Sequence, residues 1–458
     1  MDTRINALNH FFSHKDSFLD QLISFVSIPS ISTAPENKGD VLRAAEFLVS
    51  KMNSIGIKNV KLHPTPGHPI VYGEYLEAGD SQPTILVYGH YDVQPVDPTE
   101  LWHNDPFSPT VIEDSLFARG SSDMKGQVFA CLAAIETILN TDKFPVNLKF
   151  IFEGEEEIGS PNLKPFLETH KDLLRSDVAL NVDTGMSGKN TPTITYGLRG
   201  LSYFEIRVYG PSKDLHSGIY GGVVHNPAQV LIDLISKMHD SEGRVTLPGF
   251  YDEVKELSAQ ERSEFARLNI ADEHYQDQTG VPGLWGETGY TPTERIGARP
   301  TLEVNGFLSG FTGKGSKTVI PAKAMAKIST RLVPDQKPEK IYHQLVEFMR
   351  THAPETVKWE VEEISTGSPS LSDINLPATR ALVTALKEVW GVDPVYKREG
   401  GSVPVVADMQ EILGIDSVLS GFGLPDDNVH SPNEKLDLPT WYKGIEALIH
   451  FFYNVKNA

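Results

Sequence analysis

Residues 147–160 read NLKFIFEGEEEIGS, an apolar run of the β type that ends in a crowd of acidic side chains. Glu153, Glu155, Glu156 and Glu157 all fall within residues 153–160. A charge run taken alone is usually a solvated loop, and Glu153 and Glu155 read that way. Where a strand leaves a sheet, however, such crowding has a second reading, namely that something strongly positive sits there.

The flanking sequence supports a sheet. HPIVYGEYL (68–76), TILVYGH (84–90) and DVALNVD (177–183) are further short apolar strands, and QVFACLAAIETIL (127–139) repeats its apolar residues at helical spacing. Strand–helix–strand alternation predicts an α/β domain whose helices cover a largely parallel sheet. The texture changes near Thr195. LSYFEIRVYG (201–210) and AMAKISTRLV (324–333) alternate like half-exposed strands, and NPAQVLIDLISKMH and PEKIYHQLVEFMR read as helices. These predict a smaller α+β domain inserted at 197–365. The first domain would then comprise 1–196 and 366–458, with PATRALVTALKEVW, DSVLSGFG and TWYKGIEALIHFFYNV completing it.

Composition narrows the function. The chain has 458 residues, 40% of them hydrophobic and 22% charged, which fits a globular protein of two domains. A net charge of −20 and the lack of a basic patch speak against nucleic-acid and anionic-membrane partners. The N-terminal residues lack the layout of a secretory signal, and no stretch is apolar enough to span a bilayer, so a cytoplasmic location is expected. Cys131 is the only cysteine and reads as a core residue, so a metal site must use histidine and carboxylates. SGFTGKGSKT (309–318) lacks the spacing of a phosphate loop, because Gly315 follows Gly313-Lys314.

Residues suited to metal binding recur at strand ends. His90 and Asp92 follow TILVYG, Asp123 lies in the glycine-bearing turn RGSSDMKG, the glutamates end NLKFIF, and Asp183 ends DVALNV. Ligands of open α/β sheets bind beyond the carboxyl ends of strands, so these segments can converge on one crevice. Zinc or manganese suits such donors, and a carboxylate can bridge two ions about 3.5–4 Å apart. Neighbours in an extended segment point opposite ways, so one of Glu156 and Glu157 can bind metal while the other faces substrate.

GHYDVQP, RGSSDMKG, EGEEEIGS, NVD, DLHSG, STRLVP, EGGS and NVHSPNEKLD occur in this order. In that order they resemble the dinuclear metal exopeptidases that include carnosinases, cytosolic non-specific dipeptidase, carboxypeptidase G and aminoacylase. The dipeptidase branch is most similar, through DLHSGIYGG, SGFTGKGSKTVIPAKA and STRLVPDQ. Asp123 is followed by Met124, where many of those dipeptidases carry a second aspartate. The resemblance implies a zinc-exopeptidase-like catalytic domain, with helices on both faces of a mixed sheet, and an inserted lid and dimerisation domain.

The resemblance also implies two divalent ions per subunit, zinc first and manganese second. Asp123 would bridge them, His90 and Asp183 would complete one ion's protein ligands, and Glu157 and His430 the other's. Glu156 would be the general base and Asp92 the carboxylate that orients His90. His216 would act in the partner subunit of a homodimer, stabilising the oxyanion. Arg331 would hold the substrate's terminal carboxylate, with Ser402 a further substrate contact. The expected activity is hydrolysis of dipeptides or short peptides with a free C-terminal carboxylate. An N-acyl-amino-acid hydrolase or carboxypeptidase is the alternative within the class, and a non-catalytic calcium-binding scaffold the alternative outside it.

Overall fold

A computed structural model describes residues 3–401 and 403–456 of the chain. Contacts divide it into two units: 1–196 with 372–397 and 408–458, and 197–371 with 398–407. The segment 398–407 thus clusters with the second unit, whereas the boundaries read from sequence put it in the closing part of the first.

The first unit is built on a mixed sheet. Its strands Lys58–His63, Ile70–Tyr75, Asn147–Glu153, Thr84–His90, Val178–Asn181 and Ser417–Leu419 lie side by side in that order. Thr84–His90 runs parallel to both its neighbours, and Val178–Asn181 runs parallel to Ser417–Leu419. Parallel strands with both faces covered carry continuous apolar runs, and every residue of Asn147–Glu153 is buried. Lys149 is accommodated because its ammonium donates to the Arg175 carbonyl at 2.8 Å.

One face packs into a core with the helices Lys125–Leu139, Pro377–Trp390 and Leu438–Val455. Ile85, Val87, Leu148 and Phe150 point into it, while Leu86, Tyr88 and Ile151 are buried on the other face. The helix Lys125–Leu139 is buried nearly all round. Gly126 allows its first turn to approach closely, since a Cβ there would lie 2.0 Å from the Ser121 carbonyl oxygen. The Trp441 indole donates to the Gly126 carbonyl at 2.8 Å and ties the last helix to the same turn.

The second unit holds a four-stranded antiparallel sheet, ordered Thr301–Ser309, Lys323–Leu332, Gly200–Tyr209, Lys358–Gly367. Gly200–Tyr209 alternates buried and half-buried residues along its length. Phe204, Ile206 and Val208 pack with the helices Pro227–Ser236 and Pro338–His352, as the period-2 and helical patterns require.

Candidate metal and catalytic site

Three neighbouring parallel strands deliver the first residues of the site. His90 ends Thr84–His90, paired in register with Glu153 at the end of Asn147–Glu153. Asp183 follows Val178–Asn181 on the other side, its amide donating to Asn181 Oδ1 at 2.7 Å. Parallel strands in register bring their carboxyl ends to one edge, which is why residues about ninety positions apart in sequence meet here.

His90 is fully buried, and its Nδ1 lies 3.1 Å from the main-chain oxygen of Asp92. A carbonyl only accepts, so Nδ1 carries a proton and Nε2 faces the carboxylates. Nε2 stands 3.1 Å from Asp123 Oδ1 and 3.8 Å from Asp183 Oδ1. On the other side of Asp123, His430 Nε2 lies 2.9 Å from Oδ2 and 3.3 Å from Glu157 Oε2. The two oxygens of Asp123 thus face two different imidazoles. His430 reaches this place from a loop in which Asn428, His430 and Asn433 all have left-handed backbone, with φ of 55°, 61° and 64°.

The glutamates behave differently from the sequence reading. Glu153 and Glu155 are not solvated, being 2% and 4% exposed. Glu153 accepts from the Tyr88 and Ser160 hydroxyls at 2.8 Å each, and Glu155 from the His68 amide and the Asn162 side chain. Glu156–Ile158 forms a 3₁₀ turn rather than an extended segment. The turn is held by Asp92, whose carboxylate accepts the Glu156 amide at 3.3 Å and the Glu157 amide at 3.1 Å. The Asp92 carboxylate also lies 3.4 Å from His90 Nδ1, so it touches the histidine and the glutamate turn together. Glu157 Oε2 further accepts from Gln94 Nε2 at 2.7 Å.

Crowded, buried charge perturbs these groups. Burial pushes Glu156 up to about 9; His90 opposes that shift, while Asp183, Glu157 and Asp123 add to it. Burial also raises Glu157 and Asp183. For His90 burial opposes protonation, but hydrogen bonds to Asp123, Asp183 and Asp92 outweigh it and the pKa rises well above the ordinary value. Hydrogen bonds to Asp123 and Glu157 push His430 up to about 10 against its burial. A proton on Nε2 and a divalent cation compete for the same lone pair, so these are groups that a cation would displace protons from.

The donor chemistry fits such a cation. His90, Asp123 and Glu157 can each offer one ligand atom, all within 4.8 Å of one another. Imidazole and carboxylate without thiolate suit zinc or manganese. Cys131 is buried in the core, as expected.

Residues 86–454 match the family described as peptidase family M20/M25/M40. The chain belongs to that family. It is 35% identical to the Cys-Gly metallodipeptidase dug1 of Schizosaccharomyces pombe, over 97% of this chain and 96% of that one. It is 30% identical to the human Beta-Ala-His dipeptidase, over 96% of this chain and 90% of that one. Among solved structures, an M20 family metallo-carboxypeptidase from Sulfolobus solfataricus superposes with a TM-score of 0.85 at 35% identity, covering 96% and 99% of the two chains. The mixed α/β fold read from the sequence is therefore that of the M20 peptidases.

Two expected site residues lie in the second unit. His216 is exposed on the short strand Leu215–His216, paired with Val319–Ile320. Its Nδ1 accepts the Gly218 amide at 2.9 Å, which leaves the proton of the neutral ring on Nε2. Arg331 stands on Lys323–Leu332 and lines a cavity of about 400 Å³ with Arg199, Glu303, Asn305 and Ser329. Burial lowers its pKa. Ser402 lies outside the described residues.

Sequence reading missed Gln94 and Glu434. Glu434 lies within NVHSPNEKLD, where no local pattern ties it to the turn at 119–123.

Proposed function

We propose that this M20 peptidase hydrolyses dipeptides or other short peptides bearing a free C-terminal carboxylate, using two divalent metal ions. The observation that carries the reading is Asp123, whose oxygens face His90 on one side and His430 on the other. In this reading Asp123 would serve both ions, with His90 and Asp183 holding one and Glu157 and His430 the other. Zinc is the ion proposed, with manganese suited to the same donors. A bound divalent ion would lower the pKa of water toward about 7.

The chain's own residues do the rest. Glu156, on a turn fixed by Asp92, takes the proton from water and returns it to the leaving amine. Asp92 keeps the His90 ring in the orientation that turns Nε2 toward Asp123. Arg331 offers a bidentate fork to the substrate's terminal carboxylate. His216, with Nε2–H available, donates to the oxyanion in the partner subunit of a homodimer. Solvent-facing apolar residues next to His216 support an interface there: Ile219 is 66% exposed and Val223 79%. No helix among the described residues is long and apolar enough to cross a membrane, and the cytoplasm is the proposed location.

The names of the relatives favour dipeptides, whereas the metallo-carboxypeptidase at 35% identity favours C-terminal trimming of longer peptides as the second reading. Calcium scaffolding is disfavoured, since that ion takes oxygen ligands and two imidazoles stand here. The test is a panel of free dipeptides, longer peptides and N-acyl amino acids, offered to zinc- and manganese-loaded protein. Fastest release from dipeptides is expected. Preference for longer peptides or N-acyl amino acids would replace the reading, and no release from any would refute it.

A further inference from the structure

Glu434 lies four residues after His430 and is fully buried. Its carboxylate is saturated by donors from a single turn, Arg119–Asp123. Oε1 accepts the amides of Ser122 at 2.9 Å and Asp123 at 3.0 Å. Oε2 accepts the Gly120 amide at 2.9 Å and the Arg119 guanidinium at 2.7 Å. Four N–H groups converge on one side chain, and it offers them nothing but acceptors.

The same two segments are joined elsewhere. The Ala118 amide donates to the Glu434 carbonyl at 3.1 Å, and Lys435 pairs with Phe117 in an antiparallel register. The buried Asp427 accepts the Ser122 hydroxyl and the Leu424 amide at 2.8 Å each. The loop that carries His430 and the turn that carries Asp123 are therefore fastened together just behind the point where the two side chains meet. A main-chain amide held in place fixes the direction in which its own side chain departs. Glu434, through the amide of Asp123, thus acts on that carboxylate without touching it.

We propose that Glu434 is a positioning residue for Asp123: it preorganises the Gly120–Asp123 turn so that the two oxygens of Asp123 are presented to both metal positions at once. This rests on the metal reading above. Groups of this kind, one bond behind the ligands, typically contribute about 10–100-fold to metal affinity. Glutamine tests the idea sharply, because it preserves volume while replacing one oxygen by an amino group. That group would point N–H against two of the four donors, whichever way the amide is turned.

The experiment is zinc affinity of the apoprotein, measured by competition with a chromophoric chelator well below the melting temperature. Wild type, Glu434→Gln, Glu434→Asp and Asp123→Ala are compared, and the melting temperature of each apoprotein is recorded separately. Glu434→Gln is expected to lose about 10–100-fold in zinc affinity while remaining folded. Glu434→Asp, which keeps the charge but is one methylene shorter, should recover part of that loss. With saturating zinc, Glu434→Gln should lower kcat more than it raises KM.

Wild-type zinc affinity in folded Glu434→Gln would overturn the proposal, even if its melting temperature falls, because that is the signature of a merely structural role. If Glu434→Gln does not fold, Glu434→Asp decides by the same criterion. If neither folds, Glu434 is a folding determinant and the assignment falls. Asp123→Ala separates the layers: loss of zinc there with wild-type affinity in Glu434→Gln removes only the positioning role. Retention of zinc by Asp123→Ala would remove the metal reading beneath it.

Discussion

The candidate site residues of the two units are held in contrasting ways. In the first, His90, Asp92, Asp123, Glu157 and Asp183 are at most 17% exposed in their side chains, and His430, though 53% exposed, is held against Asp123 and Glu157. In the second, His216 stands exposed on a two-residue strand beside exposed apolar neighbours, and Arg331 faces a cavity from the middle of a sheet. Metal chemistry demands positions fixed to a fraction of an ångström, and strand ends within a packed sheet supply that. Contacts to a substrate or a second subunit are made only when that partner arrives, so they can stand at a surface.

The sharpest way to break this comparison is to remove the centre of the first unit's site. Asp123→Ala should abolish turnover and lose bound metal, as should prolonged chelation of the wild type. Metal content by elemental analysis and the dipeptide rate are the measurements. A variant that keeps both ions and works would show that the residues do not act as one assembly.

A second prediction concerns His216. His216→Ala and Glu156→Gln should each be nearly inactive alone. After random subunit exchange half the dimers are mixed, and each mixed dimer has one intact site, so activity should recover to about a quarter of wild type. If mixed dimers form and activity does not recover, His216 serves its own chain, and the exposed face beside it needs another explanation.

Arg331 should give a smaller effect. Truncating one partner of a desolvated charge pair costs about 2–5 kcal/mol, or roughly 30-fold and upward in affinity. Arg331→Ala should therefore raise KM for free dipeptides steeply and kcat should change less. C-terminally amidated substrates should be poor for the wild type and little affected further by the substitution. Equal wild-type rates on amidated and free substrates would make Arg331 a structural residue of the second unit.

How far the sequence disclosed this arrangement depended on the range of the interactions. His90 and Asp183 were legible because each closes an apolar run, and strand polarity alone brings such ends together. The alternation of LSYFEIRVYG likewise announced a strand with one face in a core. Glu153 and Glu155 were misread because a run of acids is usually solvated. Their partners, Tyr88, Ser160, His68 and Asn162, carry no sequence mark that ties them to these glutamates. Glu156 and Glu157 were expected in an extended segment, yet they open a 3₁₀ turn whose amides are anchored on Asp92. The clamp of Glu434 on the Gly120–Asp123 turn spans over three hundred residues, a distance across which local pattern says nothing. The roles proposed for His216 and Arg331 rest on the family motifs, since no local chemistry suggests them.

The central claim is that the adjacent glutamates divide the work, Glu157 holding metal and Glu156 moving the proton. It is tested most directly by measuring bound metal and single-turnover rate on Glu156→Gln and Glu157→Gln side by side. Glu156→Gln should retain both ions and lose about 10²–10⁴-fold in rate, whereas Glu157→Gln should lose the ion next to His430. Loss of an ion from Glu156→Gln while Glu157→Gln keeps both would contradict the account.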